Sequence, residues 1–250
     1  MVIGSSKSNG ELWLYAIIVA NVLVTAVSAG FDYFGDAAAV AMLSLPSDVS
    51  DVIVRPWSAV TYMFVQGGVL HLLFNMLWLY CFGRIMLMVR PAAFLPAVYI
   101  GGGLAGAVSF VALYAAVPAL GHATLLGSSA AVVAVAVAVA FEVPDMKLNI
   151  WPIGPVRIKW IVLFLLGLFC LSFNGGMAGS NAAHLGGAAF GALVGLHRYF
   201  PVLSKADSSS HATMQDELDR LLGKVKVSGY EALSARDKRR LFELSHKLRK

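Results

Sequence analysis

The sequence predicts an all-α membrane protein, in which six transmembrane helices form a bundle and a small soluble helical tail follows. Hydrophobic residues make up 58% of the chain and charged residues only 13%, about half the share usual in soluble proteins. Apolar runs recur at close to the roughly 20 residues that a helix needs to cross a bilayer. The charged residues, by contrast, are concentrated after Asp207.

The six predicted spans follow these apolar runs. The first run follows a polar segment without an obvious small-residue cleavage site, which favours a retained signal-anchor. In the fourth run alanine and valine alternate, but both are apolar, so the length of the run favours a helix over a strand. The predicted spans are Leu12–Phe31, Ser58–Phe82, Ala92–Val117, Leu125–Val143, Trp160–Phe173 and Asn181–Phe200.

The basic residues predict the orientation of these spans. All but one of the 19 lysines and arginines lie on one side of a six-span arrangement, and Arg55 is the exception. The positive-inside rule places that side in the cytoplasm of a cell-membrane protein. Residues 1–11 and the tail, residues 207–250, are then cytoplasmic, and residues 12–200 form the membrane domain.

A serine and a histidine lie at the starts of two inward-running spans. Ser129 opens the fourth span after Gly127 and Ser128, and His184 opens the sixth. The predicted orientation puts both at similar depth near the extracytoplasmic side. An ionisable residue inside the membrane indicates a functional site, and a hydroxyl beside an imidazole is the minimum for nucleophilic catalysis.

Glycines that follow His184 predict how its helix packs. Gly187, Gly191 and Gly195 recur every four residues, so they share one face that allows close approach of another helix. The alanine-rich fourth span is the expected partner. From spacing alone, a structural packing face with a hydrogen-bonded histidine explains this pattern equally well.

A second polar pair lies in span two. His71 and Asn75 are four residues apart and therefore share one helical face. Two hydrogen-bond donors at similar depth suit the stabilisation of a developing oxyanion in a dry site. A structural polar pair that links helices is the alternative.

Other chemistries fit the sequence less well. The spans contain no His-Glu-x-x-His motif, no carboxylate pair and no further ligands to complete a metal site with His71 and His184. We therefore expect no metal, no cofactor and no nucleic-acid partner. A transporter is disfavoured because no inverted repeat and no intramembrane charge for a coupling ion are evident.

Together these residues resemble the rhomboid family of intramembrane serine proteases, over roughly Pro56 to Phe200. The family pattern Gly-x-Ser-Gly matches residues 127–130, and Ala-His-x-x-Gly-x-x-x-Gly matches residues 183–191. His-x-x-x-Asn matches His71 and Asn75, and Asn181 matches a position that is often polar. The motifs occur in the expected order on spans two, four and six.

The resemblance implies a serine endopeptidase of the bacterial inner membrane that cleaves transmembrane helices near their extracytoplasmic ends. Ser129 would be the nucleophile and His184 the general base of a dyad. His71 and Asn75 would support the oxyanion with the backbone around Gly127 and Ser128. The implied partners are transmembrane substrates and the lipid bilayer. The alternative is an inactive relative that binds membrane clients.

The sequence departs from the family pattern near the implied site. Ala130 replaces the usual glycine, and Gln66 stands where another histidine is frequent. Val133 occupies a position where some members carry a tyrosine that stacks on the base. The resemblance also implies a lateral gate at Trp160–Phe173 and a cap at residues 174–180, where Met177 could plug the site.

Two segments outside the spans can each be interpreted in two ways. Residues 35–55 are apolar enough to lie in the membrane interface, or they form an ordered extracellular loop. In the tail, the spacing of Met214, Leu218 and Leu221 predicts one helix, and Ser234 with Asp237 resembles a capping box that opens a second. The tail is either a solvated helical hairpin or a regulatory element at the lipid surface.

Overall fold

The structure, a computed structural model, describes residues 3–33, 37–171, 177–197, 217–226, 229–230 and 233–248. The chain divides into two compact units. One comprises Ser5–Arg198, and the other comprises Met1–Gly4 with Tyr199–Lys250.

The larger unit is helical, as the sequence predicts. Its long helices are α1 (Ile3–Tyr33), α5 (Val69–Val89), α6 (Phe94–Ala116), α7 (Ser129–Glu142), α8 (Ile158–Leu171) and α9 (Ala178–Leu196). Among the described residues, three helices are long and apolar enough to cross a membrane: Gly10–Phe31 of α1, α5 and α6. Ser129–Glu142 and Ile158–Gly167 are shorter apolar helices. The helical class is therefore observed, whereas the number of crossings stays a prediction.

Helix α7 lies at the centre of this unit. All its residues from Ala130 to Val139 are buried, and it packs against α5, α6, α8 and α9. Because small alanine and valine side chains alternate along α7, neighbouring helices can approach it closely on several sides. A Cβ atom at Gly102 of α6 would collide with the Ala134 side chain, so these two helices touch closely. The surrounding helices therefore hold α7, and Ser129 at its start, in place.

Helices α5 and α7 begin later than the predicted spans, Ser58–Phe82 and Leu125–Val143. Ser58–Thr61 forms a short helix (α4), and a 3₁₀ turn, Tyr62–Phe64, follows it. Gly68, with φ 149°, then precedes α5, and Gly127, with φ 115°, lies just before α7. Such positive φ angles favour glycine and interrupt a helix. Leu125 instead pairs with Leu45 across a two-stranded sheet, β1 (Leu45–Pro46) and β2 (Thr124–Leu125).

The segment after α1 is ordered between residues 37 and 55. It forms α2 (Ala37–Leu43) and α3 (Val49–Val54), and it exposes the side chains of Met42, Ile53 and Val54. The Thr61 hydroxyl donates to the Leu43 carbonyl over 2.7 Å and ties the segment to α4. Its location at a membrane interface stays a prediction.

Charged residues cluster at the end of the bundle that is remote from Ser129. Arg84 pairs with Glu11 over 2.9 Å, and Arg90 pairs with Glu142, whose side chain is only 6% exposed. A hairpin of β3 (Lys147–Ile150) and β4 (Gly154–Arg157) follows α7. Next to it, a hydrogen bond from Lys159 is the main cause that holds the pKa of Asp145 below its usual value. The 14 residues of α7 separate this charged end from Ser129 by about 20 Å.

In the tail unit, residues 217–226 (α10) and Ala235–Leu248 (α11) are helical. Leu221 and Leu244 are buried, and Arg240 donates to both carboxylate oxygens of Glu217. The Asp237 amide donates to the Ser234 hydroxyl over 3.0 Å, which is one of the two hydrogen bonds of the predicted capping box at the start of α11. Of the predicted tail positions, Met214 lies outside the described residues.

Candidate active site

The structure brings Ser129 and His184 into direct contact. Ser129 is the first residue of α7, and His184 lies on α9. The Nε2 atom of His184 is 2.6 Å from the Oγ atom of Ser129, and the histidine side chain is buried. This is the distance at which an imidazole can take the proton of a serine hydroxyl.

Glycines on α9 permit this contact. A Cβ atom at Gly187 would collide with the backbone carbonyl of Ala130, and one at Gly191 would collide with the carbonyl of Ala134. The backbones of α7 and α9 therefore touch. Since Ala130 follows Ser129 and Gly187 lies one turn after His184, this close contact between the two helices includes the region beside the serine–histidine pair.

His71 lies against the turn that precedes Ser129. A Cβ atom at Gly127 would be 2.7 Å from the Cε1 atom of His71, so the ring occupies the space that a side chain there would need. The Gly67 amide donates to the Nδ1 atom of His71 over 3.2 Å. Since Nδ1 accepts this hydrogen bond, the proton of the neutral ring lies on Nε2, which is then a donor. His71 thus offers an N–H group close to the start of α7.

Asn75 is connected to the same turn through one intervening side chain. Its Nδ2 atom donates to the Oε1 atom of Gln66 over 3.0 Å, and the Nε2 atom of Gln66 donates to the Ser128 hydroxyl over 2.9 Å. Ser128 is completely buried in these contacts. Of the two adjacent serines, Ser129 is therefore the one that contacts the imidazole.

Asn181 is buried on α9 three residues before His184, with 1% of its side chain exposed. In the described part of the chain, neither atom of its side-chain amide has a hydrogen-bond partner. A buried amide of this kind usually has a hydrogen-bond partner, which makes Asn181 an exception in this structure. It is not hydrogen-bonded to Ser129 or His184 in this structure.

The remaining site predictions concern the implied cap, Val133 and the absence of a metal. Residues 174–176 of the implied cap lie outside the described residues, whereas Met177 is exposed immediately before α9. Val133 is buried in α7. Among the described residues, no group of three or more His, Cys, Asp or Glu side chains could hold a metal ion.

Asn21 also contacts this region, although the sequence does not single it out as a site residue. Asn21 on α1 is completely buried, and its Oδ1 atom accepts a hydrogen bond from Gln66 over 2.9 Å. The signal in the sequence is the position of Asn21 within an apolar run, where a polar side chain without a hydrogen-bond partner is costly. Its partner was not predictable, because Gln66 is 45 residues away in the sequence.

Two family models match the chain. A family of unknown function (DUF6576) matches residues 208–247 in the tail, and the Rhomboid domain matches residues 54–199. No curated protein matches the chain. The Rhomboid domain spans α5 to α9, which carry the serine–histidine pair, and it covers more than half of the 250 residues. The chain therefore belongs to the rhomboid family and is a multi-pass membrane protein.

Proposed function

We propose that this chain is an intramembrane serine endopeptidase, with Ser129 as the nucleophile and His184 as the general base. The observation that carries this proposal is the 2.6 Å contact between Oγ of Ser129 and Nε2 of His184. His184 takes the hydroxyl proton as Ser129 attacks the peptide carbonyl carbon. The proton then passes to the leaving amine, the C–N bond breaks, and water hydrolyses the resulting acyl-enzyme.

The negative charge that develops on the carbonyl oxygen needs preorganised donors. In our proposal, Nε2–H of His71 and the side-chain amide of Asn75 supply them together with backbone amides near Ser129. The contacts of His71 with Gly127, and of Asn75 with Ser128 through Gln66, support this assignment. Losing one such donor slows acyl-transfer enzymes by about 100- to 1,000-fold.

We further propose a six-span topology for residues 12–200, in which α1 and α5 to α9 cross the membrane and residues 207–250 form a cytoplasmic tail. The charged clusters around Glu142 and Asp145 lie at the opposite end of α7 from Ser129, which supports an extracytoplasmic active site. Substrates are transmembrane helices whose outer ends unwind easily, since a helical amide is shielded by its own hydrogen bonds. The membrane is the cell membrane, the inner one in a bacterium.

The decisive experiment is cleavage of a model transmembrane substrate by the protein reconstituted in liposomes. Wild type is expected to cleave it, whereas Ser129→Ala and His184→Ala are expected to reduce the rate to background. Ser44→Ala serves as the matched control, because Ser44 is a buried serine of the same unit that donates to the Val40 carbonyl outside the site. Cleavage that survives Ser129→Ala would exclude Ser129 as the nucleophile.

The second candidate function is the binding of membrane clients without cleavage. The family match alone is compatible with it, since the Rhomboid domain identifies the family and not the activity. The direct contact between hydroxyl and imidazole favours the protease. Stable, stoichiometric capture of transmembrane helices without any cleaved product would favour client binding.

A further inference from the structure

Three buried amide side chains form a continuous hydrogen-bonded chain next to the serine–histidine pair. Asn21 lies on α1, Gln66 lies between the 3₁₀ turn and α5, and Asn75 lies on α5. Their side chains are 0%, 7% and 7% exposed. Gln66 is the middle member, because it hydrogen-bonds to Asn21 over 2.9 Å and to Asn75 over 3.0 Å. We call these three residues the amide chain.

The partners of Gln66 fix the direction in which its amide points. Its Nε2 atom has two hydrogens, which it donates to Oδ1 of Asn21 and to the Ser128 hydroxyl, each over 2.9 Å. The Met63 carbonyl is a more distant acceptor, 3.5 Å from the same nitrogen. Asn21 is fixed in turn, because its Nδ2 atom donates to the Ile17 carbonyl and to the Tyr99 hydroxyl. Gln66 therefore presents its oxygen, and not its nitrogen, to Asn75.

This arrangement controls Asn75, which the proposed function assigns to the oxyanion. An asparagine amide can rotate by half a turn and exchange its donor and acceptor ends. The hydrogen bond from Nδ2 of Asn75 to Oε1 of Gln66 prevents that exchange. It uses one of the two Nδ2 hydrogens, and no other hydrogen bond of the Asn75 side chain is found in the described part of the chain. The second hydrogen is thus available to an acceptor such as an oxyanion.

We propose that Gln66 is a positioning residue, which acts through Asn75 and is anchored to α1 by Asn21. This inference rests on the proposed function. It gives α1 a part in the reaction, although α1 lies outside the residues that match the Rhomboid domain, 54–199. Preorganisation of a donor affects the transition state more than substrate binding, so kcat should respond more than KM.

A double-mutant cycle in kcat tests this proposal. Gln66→Met keeps the length of the side chain but removes its hydrogen bonds, and it is expected to lower kcat about 10- to 100-fold with KM changed less than about threefold. Asn75→Ala removes the residue through which Gln66 acts. In the Asn75→Ala background, Gln66→Met should therefore cost less than about twofold more. Equal losses of kcat in both backgrounds would overturn the proposal.

A second variant, at Asn21, tests whether this residue anchors Gln66 to α1. It also keeps the proposal testable if Gln66→Met does not fold. Asn21→Leu should lower kcat in the same direction by a smaller factor, and this effect should also vanish in the Asn75→Ala background. Thr25→Val is the matched control, because it removes another hydrogen bond from α1, to the Phe64 carbonyl over 3.2 Å, without touching the amide chain. It should leave kcat unchanged, and an equal loss in Thr25→Val would overturn the role of the amide chain.

Different results would refute the proposed function and the positioning role of Gln66. If Ser129→Ala cleaves as fast as wild type, the proposed function is wrong and the positioning role falls with it. If wild type is active through Ser129 but Gln66→Met and Asn21→Leu both keep wild-type kcat, only the positioning role is wrong.

Discussion

Replacing Gly187 by alanine tests whether backbone contact between α7 and α9 holds the active pair together. The added Cβ atom would lie far inside contact distance of the Ala130 carbonyl, and it would be 3.2 Å from the Ala130 Cα atom. These are backbone atoms, so no side chain can rotate away to make room. Relief of the overlap requires the two helices to separate by on the order of 1 Å.

That separation acts directly on the contact between Ser129 and His184. A misplacement of about 1 Å in an active site can cost about 100-fold in rate. Overpacking of this kind costs about 1–3 kcal/mol of stability. We therefore expect Gly187→Ala to lower kcat about 100-fold in the liposome cleavage assay, and to lower the free energy of unfolding in detergent by that amount.

Gly30→Ala is the matched control for this substitution. Gly30 also lies within a helix, but an added Cβ atom there meets nothing within 4 Å. Alanine is the better helix former by about 1 kcal/mol, so Gly30→Ala should fold at least as well and cleave at the wild-type rate. A folded Gly187→Ala protein with more than half of the wild-type kcat would refute the reasoning.

Three further predictions concern other parts of the larger unit. Gly127→Ala should abolish most cleavage in the same assay, because residue 127 has φ 115° and its new Cβ atom would lie 2.7 Å from the His71 ring; wild-type activity would show that the ring can move without consequence. Arg90→Ala should lower the free energy of unfolding by about 1–3 kcal/mol in a denaturant titration, since it removes an ion-pair partner of the buried Glu142; a change below about 0.5 kcal/mol would contradict this. The lowered pKa of Asp145 means that its stabilising contribution is present above its ordinary pKa and lost as pH falls through the lowered one. Thermal melting should therefore find Asp145→Asn less stable than wild type at pH near 7 and equally stable in strong acid, and a difference independent of pH would argue against it.

Sequence reasoning succeeded where the physical constraint was local or periodic. The apolar runs indicated the helices because an apolar run of this length and composition in a membrane protein usually forms a helix. The four-residue spacing of Gly187 and Gly191 indicated a face of close helix contact, and the structure puts that face against α7. Charge bias placed Ser129 and His184 at one depth, and their side chains meet. Their catalytic roles stay predictions.

Features that depend on contacts between distant residues were not predictable. The later start of α7 follows from the positive φ of Gly127 and from strand pairing between Leu45 and Leu125, which no local pattern specifies. In the sequence, Gln66 stands out only as a departure from the family pattern. Its link to Asn21 depends on the packing of α1 against the segment before α5, and a single sequence contains no record of that packing.

Mapping the covalent adduct of a serine-directed phosphonate tests the central claim most directly. The reagent modifies only a serine that is activated as a nucleophile, and Ser128 next to Ser129 provides an internal control in the same peptide. Tandem mass spectrometry of the labelled protein should find the adduct on Ser129 in wild type and find none in His184→Ala. An adduct on Ser128, or labelling of Ser129 that does not depend on His184, would contradict the proposed pair.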